Sequence, residues 1–216
     1  PSLNVAKIGL APLTVQQVGW LTTAQVQSLS YQNFQYLAPG QVSSLTADQV
    51  ASIPDNWSFT RMNAAARAAF TEAQIPSLNV AKIGLAPLTA QQIGWLTAAQ
   101  IQSLTYQSFQ YLAPSQIPLL TADQVASIPD NWSFTRLSAD ARAAFTANQV
   151  SSLNAAKIGL APLTAQQIAW LTTIQVQSLG YQNFQYLLPG QIPLLIAGQV
   201  ASIPDNWSFT RMNDAA

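Results

Sequence analysis

The strongest constraint on this chain is that it writes one passage three times. Pro1 to Leu10 returns as Pro76 to Leu85 and, with changes, as Ser151 to Leu160, a period of 75 residues. The stretch Ile53-Pro-Asp-Asn-Trp-Ser-Phe-Thr-Arg61 returns unchanged at Ile128 to Arg136 and at Ile203 to Arg211. A fixed period of this length marks a repeat array, in which each unit buries its apolar face against its neighbours. The expected organisation is one continuous solenoid of three blocks, 1–75, 76–150 and 151–216, the last incomplete.

A shorter period lies inside the long one. Leu13, Leu21, Leu29, Leu37, Leu45 and Ile53 follow at steps of eight, and Met62, Phe70, Leu78 and Leu88 continue at nine, eight, eight and ten. That makes nine units per block. The recurring Leu-Thr-x-x-Gln-Val carries three helix-start signals. Thr14 suits an N-cap, since its hydroxyl can accept from an otherwise unpaired backbone N–H. Gln17 can return the bond to the cap's own N–H, and Leu13 can meet Val18 as a hydrophobic staple. Pro39, Pro114 and Pro189 fall at the first helical position, where a missing N–H costs least. Each unit is therefore expected to open a helix of one to two turns.

One long helix does not fit, because octad positions 1 and 6 stand about 140° apart and each octad drifts about 80°. In strands those positions point to opposite faces, which suits a sheet buried on both sides. The expected fold is thus an all-α repeat solenoid of very short capped helices, with a β-solenoid as the alternative that leaves the capping pattern unexplained. Helices this short are held by packing, not by propensity. Nine units divide evenly into three coils of three. The recurring Gln is read as a cap, with ladders of stacked amides as the alternative.

Composition narrows the chemistry. Only 7% of residues are charged, with eight acids and eight bases, against roughly 25% in ordinary globular proteins. A net charge of zero removes the term that dominates nucleic-acid binding and lowers colloidal stability, which favours self-association. Cys and His are both absent, so no thiolate or imidazole can serve as nucleophile, base or metal ligand. No apolar run approaches the roughly 18 residues of a membrane span. Asp48 becomes Gly198 in the third copy, and no paired carboxylates or Gly-rich phosphate loop is evident. The expectations are no enzyme, no cofactor, no metal, no nucleic acid and no membrane insertion. Without an initiator Met, and with its third copy stopping short, the chain reads as an excerpt of a longer array.

Two sets of residues stand out as candidate contacts. Asp55 and Arg61 beside Trp57 can hold a sugar or a peptide; alternatively Asp55 caps a helix and pairs with Arg61 while Trp57 and Phe59 enter the core. Trp20, Tyr31 and Tyr36 recur as Trp95, Tyr106, Tyr111 and as Trp170, Tyr181, Tyr186, and Trp57 recurs as Trp132 and Trp207. A regular row of aromatics serves as a glycan-binding strip, a lateral contact between rods, or core or inter-coil packing, and core or inter-coil packing is the reading expected here. Ile196 and Leu188 of the third copy add apolar surface or core.

The Leu-Thr-x-x-Gln-Val runs, as at Leu21 to Val26 and Leu45 to Val50, resemble short-repeat arrays in large secreted or surface proteins of bacteria, often labelled adhesin-like or haem-utilisation-like. The resemblance covers nearly the whole chain. It implies an extracellular repeat stalk or matrix and no defined activity. The expected role is a structural segment of a secreted or cell-surface protein, a rod, stalk or self-assembling filament, with the neutral charge pointing to self-association and the recurring aromatics to surface glycans as partners; the alternative is a repeat module that binds glycans or peptides. The haem label has no His or Cys to supply an axial ligand. The same six residues are similar to the opening helix of TAL-effector repeats, but the period, the missing base-reading loop and the neutral charge depart from that family.

Overall fold

The computed structural model describes residues 4–54, 56–185, 187 and 189–204. Among these residues the chain is all-helical, with no strand, which settles the choice against the β-solenoid. The α-helices run four to six residues. Val15–Gly19 shows how such a short helix is held. Thr14 Oγ1 accepts from Gln17 N at 3.2 Å, and Gln17 Oε1 accepts from Thr14 N at 2.8 Å. Leu13 and Val18 are both buried on either side of that box. The same reciprocal pair forms at Thr22/Gln25, Thr46/Gln49, Thr89/Gln92, Thr97/Gln100, Thr121/Gln124, Thr146/Gln149, Thr164/Gln167 and Thr172/Gln175. Octad position 1 and the fourth helical residue supply the Leu, Val and Ile of the core.

Gln does more than cap. Its Oε1 serves its own helix while its Nε2 donates to carbonyls of the coil beneath. Gln49 reaches Val18 O at 3.1 Å and Leu21 O at 2.6 Å, and Gln74 reaches Val42 O at 2.9 Å and Leu45 O at 2.7 Å. Gln100 does the same to Ile75 O and Leu78 O, and Gln175 to Val150 O and Leu153 O. Stacked amide ladders are absent among these, and a purely capping role is too small a description. The amide satisfies a cap N–H above and the carbonyls at the corner leading into the helix below. Left unpaired when buried, each of those groups would cost about 1–3 kcal/mol. This bond explains why the box uses Gln: a Glu would cap as well but has nothing to donate.

The chain divides into two compact units, 1–104 and 105–216, with the boundary inside the second block. In the first unit the helices form three stacks. Val15–Gly19 carries Pro39–Ser43 and then Ala64–Ala68; Thr23–Gln27 carries Ala47–Ala51 and then the 3-10 turn Ile75–Ser77. Tyr31–Phe34 carries Asn56–Arg61 and then Val80–Ile83. Each coil thus holds three units, as the sequence led us to expect. The second unit repeats the pattern, with Tyr106–Tyr111, Asn131–Arg136 and Ala155–Ile158 in one stack and Ala122–Ala126 below Ala147–Ser152 in another.

The expected even division of a block into three coils fails at the ten-residue step. Gly84 ends the helix Val80–Ile83 at φ 71°, ψ −174°, and Gly9 and Gly159 take the same conformation, a region open only to glycine. Beyond it Leu88 N closes a turn on Leu85 O at 3.0 Å, with both leucines buried. This turn is a side of the coil in miniature. In the second unit its counterpart, with Ala161 and Pro162, shares a cavity wall with Arg142 of the helix Ala139–Ala143. A block therefore has one side more than three full coils, and equivalent helices of successive blocks fall in different stacks. Val15–Gly19 lies under Pro39–Ser43, whereas Gln92 of its copy Ala90–Gly94 bonds Arg67 O and Phe70 O, the corner leading into Ile75–Ser77.

Prolines correct another expectation. Pro39 does open a helix, but Pro114 and Pro189 sit in turns followed by the 3-10 segments Ile117–Leu119 and Ile192–Leu194. Pro118 and Pro193, four residues on, have no N–H to donate back, so the α-helical bond cannot form. In the third copy Ile196 replaces the N-cap Thr, and only the Ile196 N to Gln199 Oε1 half of the box survives.

Three substitutions test these causes. Gln49→Glu keeps the cap acceptor but sets a carboxylate against the carbonyls of Val18 and Leu21, and should lower stability by about 2 kcal/mol. Gln17→Glu, where the amide is exposed, should change the urea midpoint by less than about 0.5 kcal/mol equivalent. Gly84→Ala meets no atom within 4 Å of its new Cβ, so its expected loss of about 1–3 kcal/mol reports backbone strain alone.

Candidate functional site

The nine-residue step builds the most distinctive surface of the chain. An extra residue, Pro129, separates Ile128 from the N-cap Asp130, whose Oδ1 accepts from Ser133 N at 2.8 Å. The helix Asn131–Arg136 then places Phe134 at the fourth helical position, where it is fully buried against Phe145 with ring centroids 5.3 Å apart. Trp132 is two residues away, about 200° around the helix, and is 71% exposed. The reading that sent this tryptophan into the core is corrected for Trp132, while Phe134, and Phe59 in the first copy, do enter it. Ser133 occupies the place that Gln takes elsewhere, and its buried Oγ has no hydrogen-bond partner.

Arg136 does not pair with Asp130. Its Cζ lies 5.1 Å from the ring centroid of Tyr106, in the segment Tyr106–Tyr111 stacked beneath. Arg61 sits over Tyr31 at 5.5 Å in the first copy. Tyr106, Asp130, Trp132 and Arg136 together line a pocket of about 300 Å³. It offers an aromatic face, a second aromatic wall covered by a guanidinium, and one carboxylate. Asp55, Tyr186, Asp205, Trp207 and Arg211 lie outside the described residues, as do the side chains of Trp57 and Tyr181.

The other candidate aromatics also avoid the core. Trp20 is 69% exposed and Tyr36 63%; Tyr31 and Tyr111 are exposed, and Trp95 and Trp170 are half-buried. Trp20 and Tyr36 follow their N-caps by six, two residues past the buried fourth position, so helical phase turns them outward. They do not form one row. Trp20 and Trp95 close Val15–Gly19 and Ala90–Gly94, which belong to different stacks of the first unit. Ile196 is exposed rather than core, and Leu188 lies outside the described residues.

Elsewhere, a cavity of about 410 Å³ in the first unit is lined by Ala51, Thr97, Ala99, Gln100, Ser103 and the segment 76–81, with no ionisable side chain. Among the described residues no cluster of His, Cys, Asp and Glu could hold a metal, and no helix is long and apolar enough to cross a membrane. No family model matches the chain, and no curated protein matches its sequence.

The Arg–Tyr contact is an exposed link between coils, worth about 0.5–1 kcal/mol. Arg136→Gln should lower the urea midpoint by that modest amount, and Tyr106→Leu in the same background should add no further loss from this contact, as a double-mutant cycle would measure.

Proposed function

We propose that this chain is a structural repeat segment of a secreted or cell-surface bacterial protein, lengthened by whole blocks and prone to self-association, which presents outward-facing aromatics to a ligand. The observation that carries the structural part is the Gln clasp. Each coil brings its own bonds to the coil beneath, so a further block extends the core without redesigning it, as in other nearest-neighbour arrays. The secreted or surface setting rests on the resemblance of the Leu-Thr-x-x-Gln-Val runs to bacterial short-repeat arrays. Zero net charge supports self-association. The ligand-presenting part is favoured by the exposure of Trp132 beside Arg136 and Asp130. Catalysis is not part of the proposal, because the sequence lacks the His and Cys on which most acid–base and nucleophilic sites depend.

Inserting a second copy of residues 76–150 after residue 150 tests the spacer role. The longer chain should fold with one unfolding transition, at a urea midpoint no lower than that of the parent. A separate transition for the inserted block, or loss of helical circular dichroism, would exclude extension by whole blocks. Sedimentation velocity should show association rising with protein concentration; a monomer throughout the millimolar range would remove the self-association half.

A further inference from the structure

We infer that Tyr106, Asp130, Trp132 and Arg136 form a binding site for a neutral hexose, one per block, an assignment that rests on the reading that the scaffold displays ligand-facing aromatics. The pocket, about 300 Å³, is at the small end of ligand sites and takes one or two sugar rings. The Trp132 ring, exposed for most of its surface, provides the flat apolar face that the C–H side of a pyranose covers. Large aromatic surfaces with polar neighbours are where ligands that are half apolar and half polar are held.

The polar partners suit neighbouring hydroxyls. Asp130 accepts only and Arg136 donates only, so a vicinal diol can give a proton to one and take a hydrogen bond from the other. Their charges cancel, which disfavours an anionic sugar as well as an acidic or basic peptide. Arg136 is already fixed by its seat on Tyr106 at 5.1 Å, so binding need not order a free side chain. Asp130 is likewise held by its bond to Ser133 N at 2.8 Å. The first copy keeps the same Arg-on-Tyr seat at Arg61 and Tyr31, and the sequence of the third copy holds the same four residues at Tyr181, Asp205, Trp207 and Arg211.

The stacks decide how the copies act. In the second unit Tyr106–Tyr111 lies under Asn131–Arg136 and then Ala155–Ile158, in the stack that continues to Thr173–Gln177 and Ala197–Ala201. Tyr181–Phe184 lies between those last two helices in the chain, on a different side. The tyrosine-bearing segments of the second and third copies therefore occupy different sides of this unit, and affinity should not climb with the length of a linear glycan.

The test is calorimetric titration of the 216-residue chain with neutral oligomers: cellobiose and cellohexaose, maltohexaose, mannohexaose and galactohexaose. Oligogalacturonate and a ten-residue polyproline peptide complete the panel. At least one neutral oligomer should bind, with cellohexaose no more than about threefold tighter per site than cellobiose, since the tyrosine segments of the second and third copies lie on different sides of their unit. A variant carrying Trp57→Ala, Trp132→Ala and Trp207→Ala should lose at least about tenfold in affinity with unchanged circular dichroism. Arg136→Lys, which keeps the charge but not the planar fork, should weaken the remaining site in a background lacking Trp57 and Trp207. Binding of oligogalacturonate or polyproline in preference to every neutral oligomer would overturn the ligand class. Loss of sugar binding on replacing Trp20, Trp95 and Trp170, with the first triple variant unaffected, would overturn this site while leaving the display of ligand-facing aromatics standing. Absence of binding to every probe would overturn both.

Discussion

A glutamine side chain with two jobs holds this molecule together. Its oxygen closes the start of one helix, and its nitrogen closes the ends of backbone left open in the coil below. Helices of five residues cannot support themselves in water, and their terminal N–H and C=O groups make up most of their hydrogen-bonding inventory. A solenoid of such helices buries those termini at every corner. The amide settles the account from both sides of the corner at once, as Gln49 does between Thr46 N and the carbonyls of Val18 and Leu21. Hydrophobic burial of the Leu and Val positions then proceeds without leaving polar groups stranded.

The same logic explains where the repeat departs from its consensus. Ala66 and Ala141 stand where Gln is expected, and there Arg67 and Arg142 turn back to the carbonyls of Thr60 and Met62, or of Thr135 and Leu137. Ser133 stands in that place at the Asp130 corner and leaves its own hydroxyl without a partner. That corner is also where the chain inserts a proline and directs a tryptophan outward. Loss of the clasp and the outward turn of a tryptophan occur together at this corner.

Much of this was legible in the residues. The octad frame, the Thr and Gln pair and the staple between Leu13 and Val18 were sufficient to foresee capped short helices and three units to a coil. The outward job of Gln was not legible, because a capping box can be written with Glu or Gln and only the coil beneath distinguishes them. The orientation of Trp132 was available in principle: counted from Asp130 it takes the second helical position, opposite Phe134, yet its aromatic character outweighed that count. Pro118 and Pro193 were similarly decisive for the loss of helix after Pro114 and Pro189. The ten-residue step hid a whole side of the coil, since Leu85 and Leu88 look like a loop until both are found buried.

That hidden side has the widest consequence. A block of three whole coils would set every copy of Trp20 or Tyr31 above the last, giving a stripe suited to a long ligand or to a sheet of aligned neighbours. One side more than three coils breaks the stripe within each unit, and the glycine conformation at Gly9, Gly84 and Gly159 keeps that offset in every copy. Identical surfaces are then turned toward different directions along the stack. Within a unit, duplication of the block therefore adds length without setting like residues in register, because each ten-residue step moves the next copy one side on.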